Sequence, residues 1–160
     1  MTKDESKAMR QQVMELLQMR GAHVDFDKVA ADFPAKLRGT KPPGAEHAAW
    51  QLLEHLRIAQ WDILEFSRNP KHVSPKWPEG YWPKNPTPPT PAAWAKSITQ
   101  FCTDLRAMQE LVADPNTDLL APFPHGDGQT LLREALLLAD HNSYHLGQLV
   151  LVRRLLGVWK

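Results

Sequence analysis

Apolar residues recur along four long stretches of this chain at the three- and four-residue spacing of helices that bury one face. The first, residues 4–20, places Met9, Val13, Leu16 and Leu17 on one side and meets a stop at Gly21. The second, residues 45–68, carries the stripe Ala48, Leu52, Leu56, Ala59, Ile63 and Phe66 and ends at Asn69-Pro70. The third is expected to start with Thr90 as N-cap and Pro91 in the first turn, and to run to Ala113. The fourth is expected from Asp127, as N-cap, to Leu156, with Gly157 as its stop. Its stripe is Leu131, Ala135, Leu138, His145, Leu149, Val152 and Leu156. A turn or two of helix is expected over residues 27–33, followed by a basic linker at 36–44.

Eight of the chain's 14 prolines fall between residues 70 and 91, a segment that can neither continue a helix nor enter a central sheet. Such a segment has the reach of a stiff extended connector between opposite ends of a bundle. Its Trp77, Tyr81 and Trp82 are rings that usually pack on a surface, which argues against a free linker. No stretch reads as a strand. The pattern predicts an all-α four-helix bundle, one domain over residues 1–160, with a long Pro-rich crossover between its second and third long helices.

Composition narrows the function classes. A net charge of +1, with both signs interspersed, gives no basic stripe for nucleic acid or an anionic membrane. The N-terminal residues lack a secretory pattern, and no apolar run approaches the ~20 residues of a membrane helix. One cysteine, Cys102, excludes an intramolecular disulfide and fits a reducing compartment. The expected setting is the cytoplasm.

Two histidines, His141 and His145, sit one turn apart in the leucine-rich fourth helix. Four-residue spacing puts both imidazoles on one side, and His145 lies in the core stripe itself. Burying a polar group costs about 2–7 kcal/mol without a partner, so the pair needs one. His55, one position off the stripe of the second long helix, could supply a third imidazole. Three neutral imidazoles on two facing helices make a tripod that leaves coordination positions open on a divalent metal. Histidine-only ligation favours zinc or nickel, then iron or cobalt, over magnesium or calcium. Asn142 stands where a zinc protease has its glutamate, and Glu-x-x-His pairs of di-iron bundles are missing.

The segments Trp50-Gln51-Leu52-Leu53-Glu54-His55-Leu56 and Ala139-Asp140-His141-Asn142-Ser143-Tyr144-His145-Leu146-Gly147-Gln148 resemble the DinB/YfiT family of metal-dependent enzymes. That resemblance implies His55, His141 and His145 as metal ligands, an up-down-down-up bundle and a homodimer. It also implies thiol-dependent S-transferase, isomerase or hydrolase chemistry on a small molecule, with a low-molecular-weight thiol as partner. The alternative is a non-catalytic bundle that binds metal or a small molecule, linked to stress. A third reading is a plain structural bundle whose core histidines only pack.

Asp62, Glu134 and Gln148 lie within two turns of these histidines and are candidates to orient a ligand or move a proton. Ordinary carboxylates at the bundle edge and a solvated glutamine are the competing readings. Gly147 is read as either a close-approach point or a residue without special role, and Arg153-Arg154 as a solvated helix end. Cys102 is read as a small buried apolar residue, His125 as a loop histidine that could face the mouth of the site. His23, His47 and His72 are read as surface or packing residues. Trp50 and Trp61 are assigned either to the underside of the crossover or to a dimer interface.

Overall fold

Thr2 opens the first helix with a capping box: its hydroxyl accepts the Glu5 N–H, and the Glu5 carboxylate accepts the Thr2 N–H at 2.7 Å. The computed structural model describes residues 2–159. Helix α1 (Lys3–Leu17) buries Val13 and Leu17, while Leu16 turns half to solvent. It stops before Gly21 because Met19 already takes a left-handed conformation at φ 53°. Helix α2 (Phe26–Ala30) begins earlier and is shorter than expected, since the Asp25 carboxylate accepts the Lys28 N–H at 2.8 Å and sets the cap. A single 3-10 turn, Ala35–Leu37, follows.

The three longest helices are α3 (Ala49–Arg68), α4 (Ala93–Ala113) and α5 (Leu131–Leu155). Each starts later than its sequence pattern suggests. Before α3, the Ala45 N–H bonds the Pro42 carbonyl in a turn closed by Gly44 at φ 81°. The helix then begins where Gln51 accepts the Ala48 N–H. Thr90 is a turn residue rather than an N-cap: its carbonyl accepts the Ala93 N–H, and Ala92 is the cap. Asp127 likewise stays in the loop, because Phe123 and Gln129 pair across it and Pro122 bridges to Thr130. The hydroxyl of Thr130 accepts the Arg133 N–H and caps α5 instead. Helix ends are decided by which acceptor is geometrically free, and spacing alone does not reveal that.

Helix α3 packs between α4 and α5, and α1 packs against the same two helices from the opposite side. Two apolar clusters fill the interior. One joins Trp50, Leu53 and Leu56 of α3 to Trp94 and Phe101 of α4 and to Leu146 and Leu149 of α5. The other joins Val13 and Leu17 to Leu64, Met108, Val112, Leu131 and Leu138. The first halves of α3 and α4 therefore meet the second half of α5, and α5 runs against both. The Gln60 amide donates to the Phe101 carbonyl at 2.6 Å and accepts from Asn142 Nδ2 at 2.9 Å, all of it buried. No strand occurs among the described residues, and no helix there is long and apolar enough to cross a membrane.

The crossover is tied down rather than merely stiff. Gln51 of α3 donates to the Pro83 carbonyl at 3.0 Å, and Gly39 approaches Thr87 so closely that a Cβ would lie 2.5 Å from its hydroxyl. Trp82 is half-buried, whereas Trp77 stays exposed. Trp50 belongs to the core, and Trp61 packs edge-on to His72 beneath the crossover.

Candidate metal centre

The histidines of α3 and α5 meet because α3 and α5 are antiparallel neighbours whose stripes face each other. His55 Nε2 lies 3.0 Å from His141 Nε2 and 3.1 Å from His145 Nε2. One nitrogen from each ring falls within 4.8 Å of the others, and these three residues form the His/Cys/Asp/Glu group able to hold a metal among the described residues. His55 and His145 are buried, and His141 is half-buried.

The outer nitrogens fix which inner ones are free. His55 Nδ1 is 3.1 Å from the Tyr81 carbonyl, a pure acceptor, so the proton sits on Nδ1. His145 Nδ1 likewise donates to Gln148 Oε1 at 2.8 Å. Both Nε2 atoms then carry lone pairs and point at each other across 3.1 Å, where no hydrogen bond between them is available. A cation between them resolves this, and donors about 2.0–2.1 Å from one ion are separated by about this span. The residues fit a metal.

Electrostatics point the same way. Burial, reinforced by the neighbouring His145 and His141 rings, pushes His55 down to about 3. Burial, then the charge of His145, brings His141 to about 4, and burial also lowers His145. All three are neutral at pH 7, the form that ligates a metal. His141 Nδ1 is buried without a hydrogen-bond partner.

Trp82 stacks flat on His55, with ring centroids 3.7 Å apart and planes 7° from parallel. Its other face carries His47, centroids 3.9 Å apart. The sandwich shields one side of the cluster from water. The crossover also engages Asp62: Tyr81 Oη donates to it at 2.6 Å and His72 Nε2 lies 2.7 Å from it. Asp62 therefore reaches His55 through Tyr81, not directly. Glu134 is buried and, by burial, shifted upward, but its hydrogen bond is to Arg133 at 2.6 Å rather than to a histidine. Gln148 holds His145.

Several other expectations change. His125 faces away from the site and donates to the Phe66 carbonyl near the far end of α3. His72, read as a surface or packing residue, is an internal partner of Asp62. Arg153 is buried and its guanidinium donates to the carbonyls of Val29, Ala31 and Val158, so it does not form a solvated helix end. Cys102 is half-buried with its thiol 3.9 Å from Asp27, and burial raises its pKa. Nothing lies within 4 Å of a Cβ built on Gly147, so that glycine serves no close approach within the chain. The contributions of Tyr81 and Trp82 to the site were not legible as such. Their aromatic content signalled packing, but not packing onto a ligand candidate.

No curated protein and no solved structure matches this chain. Residues 18–149, which contain α3, α4, the crossover and all three histidines, match the DinB superfamily. The chain belongs to the DinB superfamily.

Proposed function

We propose that this protein is a metal-dependent enzyme in which His55, His141 and His145 hold one divalent transition ion, zinc or nickel before iron or cobalt. The observation that carries the reading is the pair of inward lone pairs on His55 and His145, fixed by Nδ1 donation to Tyr81 and Gln148. Three ligands from two helices leave positions open for a reactant. A bound ion supplies Lewis acidity that lowers the pKa of a coordinated water or thiol toward neutrality.

The chain's own residues do the rest. Tyr81 and Gln148 hold the imidazole planes and keep their protons outward. Trp82 closes one side against water, which strengthens every charge interaction within the cluster. The reaction is thiol-dependent S-transfer, isomerisation or hydrolysis of a small molecule, with a low-molecular-weight thiol as co-substrate. The working form is a cytoplasmic homodimer.

Elemental analysis of untagged wild type beside His141→Ala tests the site. Near one equivalent of a transition metal in wild type, lost in the variant, supports it and opens a screen of thiol-transfer and hydrolysis substrates. Wild type without metal after reconstitution with several divalent ions overturns it.

A further inference from the structure

Nine large apolar side chains are exposed among the described residues, and five of them, Leu136, Leu137, Tyr144, Leu151 and Leu155, lie on α5. At 3.6 residues per turn these five share one strip about 100° wide with Asp140, Gly147 and Arg154. Every member of the strip is exposed, Tyr144 at 65% and Leu151 at 54%. The other sides of α5 pack against α3, α1, α2 and α4. A helix with one buried side ordinarily turns charge to solvent, and this one turns leucines. Gly147 breaks the strip between Tyr144 and Leu151. It costs about 1 kcal/mol relative to alanine in a helix interior, and nothing in its own chain lies within 4 Å of its missing Cβ.

Charge decides what covers the strip. Asp140 stands seven residues before Gly147 and Arg154 seven after, each about 10.5 Å along the axis. A second α5, antiparallel and crossing at Gly147, brings Asp140 opposite Arg154 of the second copy, twice by symmetry. The same crossing sets Tyr144 beside Leu151 of the second copy. Two facing glycines let the axes approach to the short end of the about 8–10 Å range of helix pairs. A crossing near Tyr144 would instead set Arg133 against Arg154 of the second copy, a repulsive pairing.

We propose that this strip is the face through which two copies of the chain pair, antiparallel and two-fold symmetric about Gly147. The homodimer of the proposed function thereby gains a surface, and the pairing does not depend on the metal. Tyr144 stands edge-on to His145, ring centroids 4.9 Å apart, so the second copy sits one ring away from a candidate ligand.

Sedimentation of the full chain over a range of concentrations should show a dimer. Asp140→Arg and Arg154→Asp should each weaken it about tenfold or more, and the double variant should restore it. Gly147→Cys in a Cys102→Ser background should form an intermolecular disulfide on mild oxidation, because the crossing brings the two Cα atoms within bridging reach. Tyr144→Cys should not, since its two copies lie about 9 Å apart along the axis, beyond the ~7 Å limit. Circular dichroism checks that each variant folds. A wild type that stays monomeric overturns the proposal. So does a dimer indifferent to both charge reversals, or a crosslink through Tyr144→Cys but not Gly147→Cys. None of these measurements needs metal: a dimer that takes up no metal removes the histidine reading alone, and a metal-loaded monomer removes this one alone.

Discussion

Tyr81 holds His55 from the outside: its carbonyl accepts the Nδ1 proton at 3.1 Å, while its own hydroxyl donates to Asp62 at 2.6 Å. One crossover residue thus fixes a candidate ligand with its backbone and anchors itself to the same helix, two turns on, with its side chain. The neighbouring Trp82 lies flat on the imidazole. The Pro-rich segment is therefore a wall of the site as well as a connector, and its restricted backbone lowers the entropy lost in holding that wall in place.

Asp62→Ala should loosen the crossover at both Tyr81 and His72 and weaken metal binding about 10–100-fold without removing any ligand. Asp62→Asn, which keeps an acceptor for the Tyr81 hydroxyl, should lie between. Competition against a chelating dye measures this. Equal affinity in all three proteins would show that the crossover does not orient His55.

Gln148→Ala removes the acceptor for the His145 Nδ1 proton. Metal affinity should fall by about 10–100-fold, and Gln148→Glu should restore or exceed the wild-type value because a carboxylate is the stronger acceptor. Thermal stability of the metal-free variants should change little. A loss in Gln148→Glu as large as in Gln148→Ala would argue against an orienting role.

Much of this architecture was readable from the chain, and the parts that were not share a physical cause. The stripes through Leu52, Leu56, Leu138 and Leu149 located α3 and α5, and all four residues are fully or almost fully buried. His145 in one stripe and His55 beside the other were enough to bring the cluster together. Asp62, placed near His55 by spacing, acts through a segment whose path no periodicity describes. Thr130 displaced Asp127 as the α5 cap because a bridge between residues 122 and 130 holds the loop. Arg153 illustrates the same limit: two successive arginines near a helix end look alike, but only one points at the free carbonyls at the C-terminal end of α2. Local pattern reports periodicity, whereas long-range polar contacts depend on where loops return.

Asp104 should make stability fall with rising pH. Its carboxyl is buried in α4, accepts from Gln100 at 2.8 Å and has one oxygen without a partner, and burial raises its pKa above the usual 3.8. The folded state therefore holds this proton more tightly than the unfolded state does. The resulting stabilisation is full below the unfolded pKa and disappears as pH rises through the folded one. Asp104→Asn keeps an acceptor for Gln100 and no longer buries a charge at neutral pH. Its melting temperature relative to wild type should rise from pH 3.5 to pH 7, as followed by circular dichroism. A constant difference across that range would count against the shift.

Arg153 should be the most costly single polar residue to remove outside the histidine cluster. Its guanidinium lies against Phe33 and Trp159 and donates to Val29 and Ala31 at 2.6 and 2.7 Å and to Val158 at 3.1 Å. It thereby ties the C-terminal end of α2 and Val158 to α5. Arg153→Ala leaves three carbonyls short of a donor, and charge-assisted bonds of this kind support a loss of about 2–4 kcal/mol. Arg153→Lys, which keeps the charge but not the planar fork, should recover only part of that. Urea unfolding measures both. Metal content should remain at the wild-type level, because Arg153 lies two turns beyond His145 and touches none of the three histidines. A variant that keeps full stability would mean water replaces the guanidinium at all three carbonyls, and α2 with the residues just after it would then owe its position to Phe26, Val29 and Phe33 in the core alone.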